Sequence, residues 1–147
     1  MTAPSEQLKL ATFAVCDDIR NEEHGKLTLV GYYGRSIRIA TLPAILPKLC
    51  FMIQFERNLA PGSKLQISLL SPGGSILMTA PDLEVPSRQN GGPLIPDEYR
   101  YAQVVFQIAP MPLNEEGAYR IEVASSDGAT THASFYVAVD ASLAKPK

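Results

Sequence analysis

Imidazole, thiol and clustered carboxylate chemistry each have a few candidates in this chain of 147 residues, and their spacing decides how far each can go. The two imidazoles are His24 and His132. Neither lies in an HExxH pattern or beside a Gly-x-Ser-x-Gly elbow, the arrangements that supply a metal hydrolase with ligands or an esterase with an activated serine. His132 alternates with Thr131 and Ala133 in a strand-like stretch, and His24 sits in a polar turn. Solvated or structurally satisfied histidines are therefore expected, and a catalytic base held by an orienting partner is not. Asp17, Asp18, Glu22 and Glu23 crowd one turn. Calcium takes about six to eight hard oxygens, and β-sandwiches of the C2 and cadherin type gather them from interstrand loops. These four acids are the one candidate metal set, but they do not follow the EF-hand spacing and lack the Asp-x-Asp loop that would complete a C2 site. A charged, solvated turn with no metal is the expectation. Cys16 and Cys50 stand in apolar stretches without CxxC spacing, which favours buried free thiols over a disulfide.

The remaining candidate is a surface. Residues 82–100 hold too much proline and glycine for regular structure, yet keep several apolar side chains. Loops of this length inside a compact domain are uncommon and often functional. Leu83, Val85, Leu94 and Ile95, with Arg88 and Tyr99 beside them, have the composition of an interface centre and make up the candidate protein-binding site. The alternative is that the apolar residues fold down as a lid. Gly73-Gly74 and Gly91-Gly92 lack GxGxxG or Walker spacing and read as turn glycines. The six tyrosines, without any tryptophan, read as core and rim residues more readily than as a sugar-stacking platform.

Composition narrows the classes of function. The chain is 46% hydrophobic and 19% charged, with a formal net charge of −2. That is the balance of one ordinary globular domain, and it offers no positive field to gather nucleic acid. No apolar run is long enough to span a membrane, and the first eight residues lack the basic start and apolar core of a secretory signal, so a cytoplasmic protein is expected. No cofactor motif is present.

Period-two alternation recurs between turn signals along the whole chain, which predicts an all-β protein. Strands are expected over residues 8–17, 26–34, 36–40, 49–57, 64–70, 101–109 and 129–140, with a short one from Ile76 halted by Pro81. The second is expected to pair with the third, and the strands at 49–57 and 64–70 to form a hairpin. Thr41 to Pro47, with two prolines, is expected to be a crossover with one helical turn. Residues 1–7 and 141–147 are expected to be flexible termini of a single domain.

The stretch Leu113 to Val123 carries the strongest fold signal. An acidic turn, Glu115-Glu116-Gly117, opens into a strand that places Tyr119, Ile121 and Val123 inward. In immunoglobulin-like sandwiches an acid-x-Gly-x-Tyr turn carries the chain between sheets, and the tyrosine hydroxyl bonds back to upstream backbone. Glu115, Gly117 and Tyr119 are therefore assigned structural roles in an antiparallel sandwich of seven to nine strands with Greek-key connections. The disulfide of antibody domains should be absent, because Ile121 stands where its second cysteine would be.

The segments Ala14 to Asp18 and Gly25 to Tyr33, the Pro43 region, the strand from Cys50 and the turn Gly117-Ala118-Tyr119 together resemble a family of small bacterial proteins of unknown function with such a sandwich. The resemblance covers most of the chain and implies the fold but no activity. The expectation is a non-enzymatic protein-binding or scaffolding module, its partner another protein or a second copy in a homodimer. The alternatives are a calcium-dependent or lipid-binding C2-like module and an accessory domain of a hydrolase system.

Overall fold

The computed structural model describes residues 9–56, 63–84, 94–96, 99, 101–126 and 128–144. Among them are eleven strands: β1 (Leu10–Asn21), β2 (Leu27–Gly34), β3 (Ser36–Ile39), β4 (Ala44–Leu46), β5 (Leu49–Glu56), β6 (Lys64–Leu70), β7 (Ile76–Glu84), β8 (Tyr101–Ile108), β9 (Met111–Leu113), β10 (Gly117–Ser125) and β11 (Thr130–Val139). They form a four-stranded sheet in the order β2-β1-β5-β8, a five-stranded sheet in the order β3-β11-β10-β6-β7, and the small pair β4-β9. All pairings are antiparallel except β3 with β11.

Alternation in the sequence becomes one shared core. Phe51, Ile53 and Phe55 from β5 and Val15 from β1 meet Ile67 and Leu69 from β6, Tyr119, Ile121 and Val123 from β10, and Phe135 and Val137 from β11. Phe51 joins the two sheets. Its ring lies 4.8 Å from that of Phe106 in its own sheet and 5.8 Å from that of Phe135 in the other. Removing a side chain of this size from water contributes about 1.5–3 kcal/mol, and Phe51 is fully buried. The two middle strands of the smaller sheet are buried on both faces at their centres, since Ala14, Cys16, Cys50 and Met52 are inaccessible as well as the core residues between them.

Several expectations about pairing and extent are corrected. The strand after β2 does not fold back on it. Gly34, at φ 71°, ends β2, and β3 crosses to the larger sheet to run parallel with β11. A left-handed backbone at that point is open to glycine at little steric cost. β5 and β6 are not a hairpin either, because they belong to different sheets. Thr41 to Pro47 contains no helical turn; Ala44–Leu46 is extended and pairs with Met111–Leu113. Pro81 does not halt β7, which continues to Glu84, so the segment expected as a loop from residue 82 begins as strand. β7 is an outer strand whose register shifts between the partners Leu65 and Ile67, and edge bulges are where a sheet tolerates proline. The strand count exceeds seven to nine because β4 and β9 are only three residues each. Val139, which continues the alternation of Phe135 and Val137, is 40% exposed at the end of β11. Part of the C-terminal tail is structured, as Ala141–Ala144 forms a 3-10 turn started by the Asp140 carboxylate, which accepts from the Ser142 amide at 3.0 Å.

Candidate binding surfaces

The turn before β10 has the geometry of a corner. Tyr119 is 1% exposed, and its hydroxyl donates to the carbonyl of Glu115 at 2.8 Å while accepting from the Glu115 amide at 3.3 Å. Gly117 has φ 134°, and a Cβ there would lie 2.9 Å from Cβ of Pro72. The Glu115 carboxylate accepts from the Gly73 amide at 3.1 Å, and that of Glu116 accepts from the Val139 amide at 2.9 Å. Glu115 thus ties this corner to the turn from Ser71 to Ser75, and Glu116 ties it to the last residue of β11.

The acidic segment is divided among separate partners. Asp17 accepts from the Tyr33 hydroxyl, and its side chain lies over Gly31, where any Cβ would collide with it. Asp18 accepts from Lys48 Nζ at 2.7 Å and lies 3.5 Å from Arg20 Nε. Glu22 accepts from the Thr28 hydroxyl at 3.0 Å, and the carbonyl of Glu23 receives the Lys26 amide at 3.5 Å. Asp17 and Asp18 lie near the middle of β1 and Glu22 and Glu23 in the turn after it; among the described residues no group of three or more His, Cys, Asp or Glu is placed to hold a metal. The Lys48 hydrogen bond holds the Asp18 carboxyl below its ordinary range, and the same bond raises Lys48. Burial, then the Asp17 hydrogen bond, pushes the Tyr33 hydroxyl up to about 12.

The candidate loop is only partly described, with Val85 and Arg88 outside the described residues. Leu83 lies in β7 opposite Leu65 and packs half-buried against the core, so it belongs to the sheet. Leu94, Ile95 and Tyr99 are exposed, Leu94 at 90%, and the Tyr99 amide donates to the Pro96 carbonyl at 2.9 Å.

Two features escaped sequence reasoning. The outward face of the larger sheet carries an open cleft of about 500 Å³, lined by Gln66, Ser68, Arg120, Glu122, Thr130 and His132 among others. It brings one histidine together with an acid and hydroxyls. Register places Glu122 between Ser68 on β6 and His132 on β11. A nucleophile relay needs the imidazole between hydroxyl and carboxylate; here the carboxylate is in the middle, and Arg120 Nε lies 3.2 Å from it. Ser68, Glu122 and His132 do not follow one another in relay order, and the arrangement can offer hydrogen bonds to a polar ligand. His24 is far from this group in topology, exposed in the β1–β2 turn at φ 61°.

The second feature is the outer side of β2, which pairs with no other strand among the described residues. The larger sheet protects both of its edges, with β3 only four residues long and bearing Arg38, and β7 carrying Pro81 and two register shifts. Short strands, charges, prolines and bulges are the devices that stop an edge from pairing with another chain. β2, LTLVGYYG, has no charge and no proline. Leu29, Val30 and Tyr32 on it are 37%, 38% and 62% exposed. β8 at the other end of the sheet is also uncharged, but Val105 is its one large apolar residue exposed beyond a third. The Gly31–Gly34 end of β2 is irregular, whereas Leu27 to Val30 pair in unbroken register with Asn21 to Asp18.

These features define an all-β protein in which two sheets face each other across one core, with candidate surfaces for binding on a sheet face and a sheet edge. The chain belongs to DUF6941, a family of unknown function, whose model matches residues 11–138. No curated protein matches it. Among the described residues no helix is long and apolar enough to cross a membrane.

Proposed function

We propose that this chain is a non-enzymatic protein-binding module on an immunoglobulin-like sandwich, and that it accepts an extended strand of a partner at the open edge of β2. One observation carries the reading: an eight-residue outer strand without charge or proline exposes Leu29, Val30 and Tyr32. Strand addition draws affinity from main-chain hydrogen bonds and specificity from alternate side chains. The Tyr119 corner supports the immunoglobulin-like assignment. The proposal places the module in the bacterial cytoplasm, where two buried thiols without a disulfide framework are ordinary.

The simplest partner strand is β2 of a second copy, related by a twofold axis. The test compares the wild type with the Val30→Lys/Tyr32→Lys variant by sedimentation velocity over a concentration series, with Tm checked for both. Both positions are exposed, so the variant should melt close to wild type. Self-association that is lost in the variant supports the reading. Amide hydrogen exchange on the wild type provides a second measurement, with slowing expected over residues 27–30 as concentration rises. A wild type that stays monomeric removes the second copy as partner. Capture of the same lysate proteins by both chains would then remove the β2 edge as the interface.

A further inference from the structure

Cys16 and Cys50 are separated by 34 residues in sequence but stand directly opposite each other on β1 and β5. Both side chains lie on the face turned away from the core, because their neighbours Val15 and Phe51 point into it. Each thiol leans across the gap between the strands. Cys16 Sγ donates to the carbonyl of Cys50 at 3.9 Å, and Cys50 Sγ donates to that of Asp17 on the facing strand at 3.7 Å. Directly opposed residues of an antiparallel pair have Cα atoms about 4.5–5.5 Å apart, within the range of about 4.4–6.8 Å that a disulfide spans. Their Cβ atoms, about 4.5–5.5 Å apart, must draw slightly closer for the bond, which makes it reducible rather than permanent.

We propose that Cys16 and Cys50 form a reversible cross-strand disulfide, a redox-closable clasp between the two middle strands of the four-stranded sheet. The oxidant class is a low-molecular-weight disulfide. The thiolate of one cysteine attacks a sulfur of the oxidant, making a mixed disulfide and releasing one small thiol. The thiolate of the second cysteine then attacks the protein sulfur of that mixed disulfide, forming the Cys16–Cys50 bond and releasing the second small thiol. Two electrons pass from the protein to the oxidant, and the two thiol protons end on the released thiols. Cys50 is the better first nucleophile. Burial pushes both thiols up, Cys16 to about 11, but the Lys48 ammonium draws Cys50 back toward the thiolate. Both sulfurs are buried, so attack requires local opening, which makes closure slow in the native state and insensitive to brief oxidation.

The test measures the closure equilibrium against glutathione in the folded and in the urea-unfolded chain. The folded sample is prepared by refolding in the redox buffer, so that burial does not block the approach to equilibrium. Acid-quenched samples are alkylated under denaturing conditions and weighed by mass spectrometry. For a loop of this length the chain-entropy limit favours folded closure by roughly several hundred-fold, and strain in an opposed pair lowers the expectation to about tenfold or more. A folded closure constant above the unfolded one, as an internal bond in a monomer, supports the clasp. A folded constant equal to or below the unfolded one overturns it, as do glutathione adducts on the separate thiols in place of the internal bond.

Discussion

The Tyr119→Phe substitution isolates the corner hydrogen bond from everything else the side chain does. The ring remains, with its 1% exposure and its stack on Phe135 at 5.4 Å and 12° between planes. What is lost is the hydroxyl that donates to the Glu115 carbonyl at 2.8 Å and accepts from the Glu115 amide at 3.3 Å. A neutral intramolecular hydrogen bond contributes about 0.5–1.5 kcal/mol net, and stranding a partly buried carbonyl adds to the loss, so the expected cost is about 1–2 kcal/mol. In a chain of this length that lowers Tm by roughly 2–8 °C. Urea unfolding followed by circular dichroism measures it directly, with the midpoint moving and the slope unchanged, because no surface is newly exposed in the folded state. Tyr136→Phe, at a half-exposed tyrosine, is the control. A loss for Tyr119→Phe below about 0.5 kcal/mol, the scale of an ordinary surface change, refutes the claim that the hydroxyl holds the turn. A changed slope would show instead that the substitution altered the denatured ensemble or broke two-state unfolding.

Two other contacts can be tested in the same way. Gly117→Ala should destabilise by about 2–4 kcal/mol, from a backbone strain of about 1–3 kcal/mol added to overlap with Pro72. Gly128→Ala, also at positive φ but with open space around the new Cβ, should lose only the backbone part when both are compared in urea. The Asp18 carboxyl has a folded value below its ordinary 3.8, so its contribution is fully present above 3.8 and is lost as pH falls through the lower folded value. Asp18→Asn should therefore flatten the acid limb of the stability profile below pH 3.8 and leave its shape near neutrality unchanged, as read by Tm at closely spaced pH values; an acid limb identical to wild type would remove this role for the Lys48 pair.

Alternation reveals which face a residue takes but not which strand lies beside it, and the fold was legible to that extent. Tyr119, Ile121 and Val123 are inward and Arg120 and Glu122 outward, as the period of two requires. The same pattern assigned β5 and β6 to a hairpin, although Phe51 and Ile67 face the core from opposite sheets. A core between two sheets looks the same from either side in the sequence, so sheet membership stayed hidden. Local pattern ends β7 at Pro81 because the cost of proline depends on whether its strand is an edge, which is a tertiary fact. Lys48 was invisible as the partner of Asp18 for a related reason: the register that opposes Cys16 to Cys50 also brings residues 18 and 48 level. The outward cleft is a property of three aligned strands, with Ser68, Glu122 and His132 drawn from separate segments, and local spacing carries no trace of it.

The binding edge proposed on β2 is of a different kind, because strand addition is recognised through main-chain amides and carbonyls. A surface that works this way needs no catalytic or ligating residue type, so a motif scan passes over it. Its signature is the absence of the residues that block pairing. Such an absence carries meaning when the same chain employs those devices elsewhere: Arg38 on β3, and Pro81 with register shifts on β7, guard both edges of the larger sheet. β2 has the length of an ordinary strand, keeps unbroken register from Leu27 to Val30, and turns Val30 and Tyr32 to solvent without a nearby charge within the strand. An edge of this composition on a free monomer is an aggregation hazard. On the proposed reading a covering strand would resolve the hazard and supply a function in the same contact, and one lysine at Val30 and another at Tyr32 should then separate association from folding.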